Sequence, residues 1–282
     1  MSRPPAQAPG AAQVLDRARR ENFPVASRLF PRRVRPHLMN VYGFARLVDD
    51  LGDEAAGDRL AMLDWVGSEL DMVFDGSATM PSHPLLHALR HTVRVFDLPR
   101  EPFDRLVEAN RQDQFASRYA TFGALLDYCR LSANPVGELV LRICGACTPE
   151  RLALSDATCT GLQLVEFWQD LGEDTAAGRV YLPIEDLDRF EYPVEALLEG
   201  VDDDRFRELM RFEAARTREL LERGRGLSRT LPGRVGLAVR MFTAGGLAAL
   251  ADLERRGFDT FGASAHPSKT RRAWTVAREM LR

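Results

Sequence analysis

The sequence contains no uninterrupted run of about 18 apolar residues, no Gly/Ser-rich linker, no internal repeat and little of the two-residue alternation that marks strands. Each absence excludes something. No segment reads as a membrane span: the most apolar late stretch, Val235 to Leu253, is interrupted by Arg240 and Asp252. No export signal is legible, because Met1 to Gly10 is rich in Pro and Ala and is followed by Arg17, Arg19 and Arg20 rather than by an apolar core. With no linker or repeat, the economical organisation is a flexible N-terminal tail over 1–12 and one domain over 13–282.

Charge of one sign is also missing. The 38 basic and 41 acidic residues leave a net −3, which gives no field to attract nucleic acid. The four cysteines, Cys129, Cys144, Cys147 and Cys159, are too sparse for a secreted disulfide scaffold, and a reducing cytoplasm fits them. Cys144 and Cys147 form a single C-x-x-C, but no second pair or suitably placed histidine completes a zinc site. His83, His87 and His91 fall four apart on one helical face with no acid beside them, so surface positions are expected.

What is present is helical periodicity from Arg32 onward, which predicts an all-α chain. Helices are expected at 33–53, 56–75, 84–96, 100–117, 122–146, 150–176, 202–230, 232–256 and 268–281, punctuated by prolines. Asn134-Pro135 falls inside one of these stretches. Proline removes a backbone donor and clashes with the preceding turn, so a kink is expected there.

Two of the helices carry acidic stripes. At about 100° per residue, Tyr42, Arg46, Asp49 and Asp53 share a narrow arc, with Val41, Phe44, Leu47, Val48 and Leu51 forming the apolar remainder. Gln163, Glu166, Asp170 and Asp174 repeat the pattern among Leu162, Leu164, Val165, Phe167, Trp168 and Leu171. A lone acidic stripe is commonly a solvated face. Two matched stripes on mostly apolar helices imply burial, and crowded carboxylates resist ionisation unless cations neutralise them. Oxygen-only ligands favour Mg²⁺, which is usually held by a few carboxylates together with substrate phosphate. Such an ion, with Arg46 and Arg179 as phosphate forks, would stabilise a departing diphosphate, so ionisation of a diphosphate ester is the expected chemistry.

At these residues the chain resembles the squalene/phytoene synthase family. Asp49-Asp50-Leu51-Gly52-Asp53 matches that family's first motif and Asp170-Leu171-Gly172-Glu173-Asp174 its second. The similarity runs from Glu21-Asn22-Phe23 through Val41 to Arg46, Tyr128-Cys129-Arg130 and Gln163 to Pro183, ending at Gly257-Phe258-Asp259. Glu21 to Val25, Cys129 to Gly137 and Phe167-Trp168-Gln169-Asp170 resemble the hydroxysqualene synthase branch, as does Gly245-Gly246 where many other members have Tyr.

The resemblance implies a single-domain isoprenoid-synthase helical fold in which two Asp helices face each other above a central apolar cavity. It implies Asp49, Asp53, Asp170 and Asp174 as catalytic residues and, with Glu166, as ligands of a small Mg²⁺ cluster. Tyr42, Arg46, Tyr119, Asn134, Gln163 and Arg179 are the expected substrate contacts. Asn134-Pro135 would form a flap over the cavity, and Phe44, Phe115, Tyr119, Phe122, Tyr128, Phe167 and Trp168 include candidates for cation-facing aromatics. Lys269, Arg271 and Arg272 would close over phosphate.

The implied substrate is presqualene diphosphate, ionised, rearranged and trapped by water as hydroxysqualene on the route to squalene and hopanoids. NADPH, used by reductive squalene synthases, is not required. Rival readings are head-to-head condensation to presqualene diphosphate or phytoene, and a non-catalytic assembly factor with a synthase-like fold. A lipid substrate implies a cytoplasmic protein with peripheral membrane contact and downstream squalene or hopanoid enzymes as partners.

Glu166 departs from the family, which usually has Asn four residues before the first Asp of the second motif. If Glu166 joins the metal shell, Glu166→Gln will shift the Mg²⁺ concentration needed for half-maximal turnover; an unchanged Mg²⁺ titration places Glu166 outside it.

Overall fold

The computed structural model describes residues 8–18, 29–76 and 79–261. Among these there is no strand, only an isolated parallel bridge between Arg118 and Val180. The all-α expectation holds. The described helices are α1 Ala11–Ala18, α2 Arg35–Asp49, α3 Arg59–Phe74, α4 Pro84–Phe96, α5 Glu101–Gln112, α6 Phe122–Ser132, α7 Asn134–Ile143, α8 Pro149–Gln169, α9 Leu171–Ala176, α10 Ile184–Arg189, α11 Val194–Leu198, α12 Asp204–Gly224, α13 Gly226–Thr230 and α14 Gly233–Arg255. A π-helical turn, Asp50–Glu54, continues α2. The helix expected at 268–281, the basic residues Lys269, Arg271 and Arg272, and the Glu21-Asn22-Phe23 motif lie outside the described residues.

The described residues fall into two compact units. One is drawn from Met1–Phe115, Leu131–Leu152 and Gly233–Ala238, the other from Ala116–Arg130, Ala153–Pro232 and Val239–Arg282. Helix α1 already begins at Ala11, inside the stretch read as a tail.

In the first unit α2 is the central helix. Pro36 stands in its first turn, where a missing N–H costs nothing, and Leu38, Val41, Phe44, Leu47 and Val48 repeat at helical spacing and are buried. Helices α1, α4, α5 and α7 pack around it. Phe44 meets Phe103 of α5 edge-on at 5.3 Å. The start of α4 is sealed by two buried polar groups. Glu69 accepts from Ser82 Oγ at 2.9 Å and from the His83 N–H at 3.3 Å. His83 Nδ1 accepts from the Leu85 N–H at 3.3 Å, which leaves Nε2 as the protonated nitrogen donating to the Pro9 carbonyl at 3.0 Å. His83 is therefore a buried cap rather than the surface residue expected, whereas His87 and His91 are exposed.

In the second unit three long helices approach on glycines. An ideal Cβ at Gly224 of α12 would fall 2.2 Å from Thr158 Oγ1 and 3.0 Å from the Thr158 backbone nitrogen on α8. One at Gly246 of α14 would meet Leu162 at 2.6 Å, and one at Gly161 would meet Leu221 at 2.8 Å. Trp168 fills the adjoining core and donates from Nε1 to Thr217 Oγ1 at 2.8 Å. By length and mean hydropathy of 1.3, α14 could cross a membrane; 61% of its apolar window is buried in the fold, which accounts for its composition as that of a core helix.

Three expected helices are broken. The stretch 122–146 divides at Ala133, since Pro135 can occupy only the first turn of a new helix. The stretch 202–230 divides at Arg225, and 150–176 divides at Asp170. Between the helices expected at 150–176 and 202–230 the structure adds two short ones, α10 and α11.

Asp186 of α10 and Glu213 of α12 are buried and share the Arg216 guanidinium, whose Nε donates to Glu213 Oε2 at 2.9 Å. That guanidinium lies 3.6 Å from the Phe122 ring centroid. Burial outweighs the Arg216 charge and pushes the Glu213 carboxyl up to about 8.

Gly224→Ala forces α8 and α12 apart and will destabilise by about 1–3 kcal/mol, whereas an alanine at Gly245, whose Cβ meets no atom, will stabilise by about 0.5–1 kcal/mol; urea or thermal unfolding reads both. Folded Glu213 retains a proton that the unfolded chain releases, so stability falls as pH rises from its ordinary value of 4.5 towards about 8. Melting temperatures of Glu213→Gln will lack that part of the slope.

Candidate functional site

The first acidic stretch lies where helix α2 widens. The π turn Asp50–Glu54 closes with the Ala55 N–H on the Asp50 carbonyl at 3.0 Å, five residues back. In a regular α-helix, residues four apart are offset by about 40°. A wider turn rotates less per residue, so that offset does not carry over unchanged between Asp49 and Asp53. Uniform α-helical spacing, assumed in the sequence analysis, fails here.

The acids of this turn divide into two kinds. Asp50 is buried and paired with Arg46 Nε at 3.0 Å, and Arg46 also reaches Glu54 at 3.5 Å. Asp49 and Asp53 have exposed surface. Water reaches Asp49 from one side, yet protein crowds its carboxyl enough that desolvation pushes its pKa up to about 6. The Asn110 hydrogen bond and the Arg46 charge oppose that rise; Asp53 and Asp50 add to it. A nearby cation would favour its charged form.

Asn110 was not singled out by the sequence. It reaches from α5 to donate to Asp49 Oδ1 at 3.2 Å, and an ideal Cβ on Gly52 would fall 2.2 Å from its Oδ1. The glycine of Asp49-Asp50-Leu51-Gly52-Asp53 is thus required by a neighbour's approach. Tyr42 is half-buried one helical turn before Arg46.

The second acidic stretch also lies at a helix break. Asp170, with φ −96° and ψ 8°, separates α8 from α9, but the bend keeps its bonds: the Asp170 N–H donates to the Glu166 carbonyl and the Asp174 N–H to the Asp170 carbonyl, each at 2.9 Å. Glu166 is exposed near the end of α8, while Gln163, Asp170 and Asp174 are half-buried. Arg179 lies 3.8 Å from Asp174 Oδ1, and its backbone N–H donates to the Asp174 carbonyl at 2.8 Å. An ideal Cβ at Gly172 would fall 2.6 Å from the Thr260 carbonyl, so this motif's glycine is also fixed by close approach.

Beyond the second acids stands an aromatic group. Phe167 and Tyr181 stack at 3.8 Å with an interplanar angle of 7°, Tyr128 lies 6.1 Å from Tyr181, and Tyr119 lies 5.4 Å from Tyr128 and 5.8 Å from Tyr181. All four are buried. Their π faces suit a delocalised cation. Tyr181 was not singled out among the candidate aromatics; its place in Val180-Tyr181-Leu182-Pro183, two residues after Arg179, was the available signal. Phe115 does not belong to the core, being 76% exposed. Asn134 and Pro135 are buried at the start of α7.

No group of three His, Cys, Asp or Glu that could hold an ion by itself is assembled among the described residues. Mg²⁺ keeps several waters and is usually bound through one or two carboxylates plus substrate phosphate, so such a site would need the diphosphate to complete it. The donor set is all oxygen, and Asp49 gains from a cation. Cys144 is a poor candidate for metal or redox work, since burial pushes its thiol up to about 11.

Comparison with known proteins gives a match to the family model "Squalene/phytoene synthase" over residues 16–276. The chain is 33% identical over 264 residues to a 15-cis-phytoene synthase of Synechocystis sp., covering 87% of this chain and 76% of the relative. It is 34% identical over 237 residues to a hydroxysqualene synthase of Zymomonas mobilis, covering 78% and 74%. The crystal structure of squalene synthase HpnC from Alicyclobacillus acidocaldarius superposes with a TM-score of 0.82 at 43% identity, covering 89% of this chain and 97% of that one.

Proposed function

This chain belongs to the squalene/phytoene synthase family of head-to-head prenyl diphosphate synthases, and from that premise we propose that it ionises presqualene diphosphate and delivers the resulting cation to water, forming hydroxysqualene. The observation that carries the reading is the pair of Asp-x-x-x-Asp stretches, each at a helix irregularity and each with its glycine pressed against a neighbouring element. The 43% identity to a solved squalene synthase supports the branch that makes C30 products.

In this reading Asp49 and Asp53 are Mg²⁺ ligands, and so are Asp170, Asp174 and Glu166. The bound metal would neutralise the charge that builds on the leaving group. Arg46 and Arg179 offer planar forks to phosphate oxygens, exchanging part of their hold on Asp50, Glu54 and Asp174. The carbon–oxygen bond breaks with its electron pair leaving on diphosphate. Tyr119, Tyr128, Phe167 and Tyr181 present π density to the rearranging cation, which a base would trap or deprotonate too early. Water then adds its oxygen and loses a proton to solvent, and no reductant is consumed. Tyr42, Gln163 and Asn134 complete the substrate contacts. The lipid product argues for a cytoplasmic protein that meets a membrane surface peripherally.

Purified protein with Mg²⁺ is expected to convert presqualene diphosphate to hydroxysqualene with or without NADPH, as read by mass spectrometry. Asp49→Asn and Asp170→Asn will each lower turnover by about 100-fold or more. Turnover of geranylgeranyl diphosphate to phytoene, with presqualene diphosphate untouched, would instead establish the condensing reading that the 33% identical phytoene synthase favours.

A further inference from the structure

Two side-chain amides, Asn110 of α5 and Gln114 in the turn that follows it, support the first acidic turn, and the chemistry above uses neither. Asn110 is 8% exposed. Its Nδ2 carries two protons, and both are placed: one donates to Asp49 Oδ1 at 3.2 Å, the other to the Leu106 carbonyl at 3.2 Å. Its own carbonyl oxygen fills the space that a side chain at Gly52 would need. Four residues on, just past the end of α5, Gln114 Nε2 donates to the Gly52 carbonyl and to the Asn110 backbone carbonyl, each at 3.0 Å. Helix α5 and the turn after it therefore grip this stretch at a carboxylate, at a glycine face and at a backbone oxygen.

The type of group matters. A helix ending in a widened turn leaves carbonyls without their regular partners, and Gln114 satisfies one of them. Asp49 needs an anchor that fixes its rotamer without cancelling its charge. A lysine or arginine at position 110 would neutralise the carboxylate and compete with a metal ion. An amide N–H holds one oxygen and leaves the other, with the charge, facing outward. Outer groups that orient a ligating carboxylate in this way control metal affinity.

We infer that Asn110 is a positioning residue that sets Asp49 for metal binding, with Gln114 holding the widened turn in register; the inference rests on the magnesium reading of the preceding section. Asn110 acts through Asp49 and touches no substrate. Its loss lowers Mg²⁺ affinity and the rate of ionisation together, and leaves recognition of the prenyl chain intact.

The test uses the full chain and calorimetric titration of Mg²⁺ in the presence of inorganic pyrophosphate. Asn110→Leu removes the donor while keeping the branched heavy-atom shape, and Asn110→Ala, which adds no bulk, replaces it if the larger leucine variant does not fold. The expected result is a loss of about 10- to 100-fold in Mg²⁺ affinity, with kcat reduced and KM for the prenyl diphosphate within about twofold of wild type. In an Asp49→Asn background the same change will have no further effect, because the bond it removes serves only that carboxylate. A folded variant with wild-type Mg²⁺ affinity, or one whose loss adds fully to that of Asp49→Asn, overturns the inference. If Mg²⁺ and pyrophosphate do not bind the wild-type protein and Asp49→Asn changes nothing, the magnesium reading fails first.

Discussion

Carboxylates crowded onto one turn of helix repel each other, and everything around the first acidic stretch answers that repulsion. Asp50 is paired with Arg46 and buried, so its charge is spent inside the protein. Asp49 accepts from the uncharged Asn110 amide and feels the Arg46 charge, yet desolvation still pushes its carboxyl up to about 6. One acid is neutralised and its neighbour is left wanting a cation. A similar economy is visible in the second stretch, where Arg179 approaches Asp174 loosely at 3.8 Å. A guanidinium at that distance is held near the acid without a tight bidentate grip.

The backbone departs from regularity at the same two places. Asp50–Glu54 widens into a π turn, and Asp170 bends the chain between α8 and α9 while the flanking hydrogen bonds persist. In both, the motif glycine has no room for a Cβ, against Asn110 in one case and against the Thr260 carbonyl in the other. Glycine would otherwise weaken a helix interior. Here it allows close contact, so the second element can brace a stretch whose charges favour unravelling.

Much of this was legible in the sequence. Helical periodicity located most of the long elements, and the two matched acid spacings located the candidate chemistry. The proline in Asn134-Pro135 foretold the interruption at Ala133. The Arg46–Asp50 pair is an ordinary four-residue helical spacing. Other features were hidden for physical reasons. The π turn and the bend at Asp170 escape any reading that assumes one constant rotation per residue. Asn110 lies in an unremarkable amphipathic helix, and its meaning depends on a tertiary contact with Asp49. His83 shared a helical spacing with His87 and His91, but it stands before the first turn, where an imidazole nitrogen can cap a backbone N–H. Phe115 resembled a core aromatic by type and neighbours alone; its 76% exposure is a tertiary outcome.

The widened turn has a consequence for how this chain can vary in length. A π turn accommodates one more residue than the α-helical turn it replaces. Deleting a single residue between Asp50 and Glu54 would let the helix run on regularly, with every local propensity satisfied, while rotating the later acid away from the earlier one. Such a deletion would preserve a helix while misaligning its charges and drawing Gly52 away from Asn110. Natural indels should therefore be tolerated in the surface connections and purged from these five positions, a pattern that selection for stability alone would not produce.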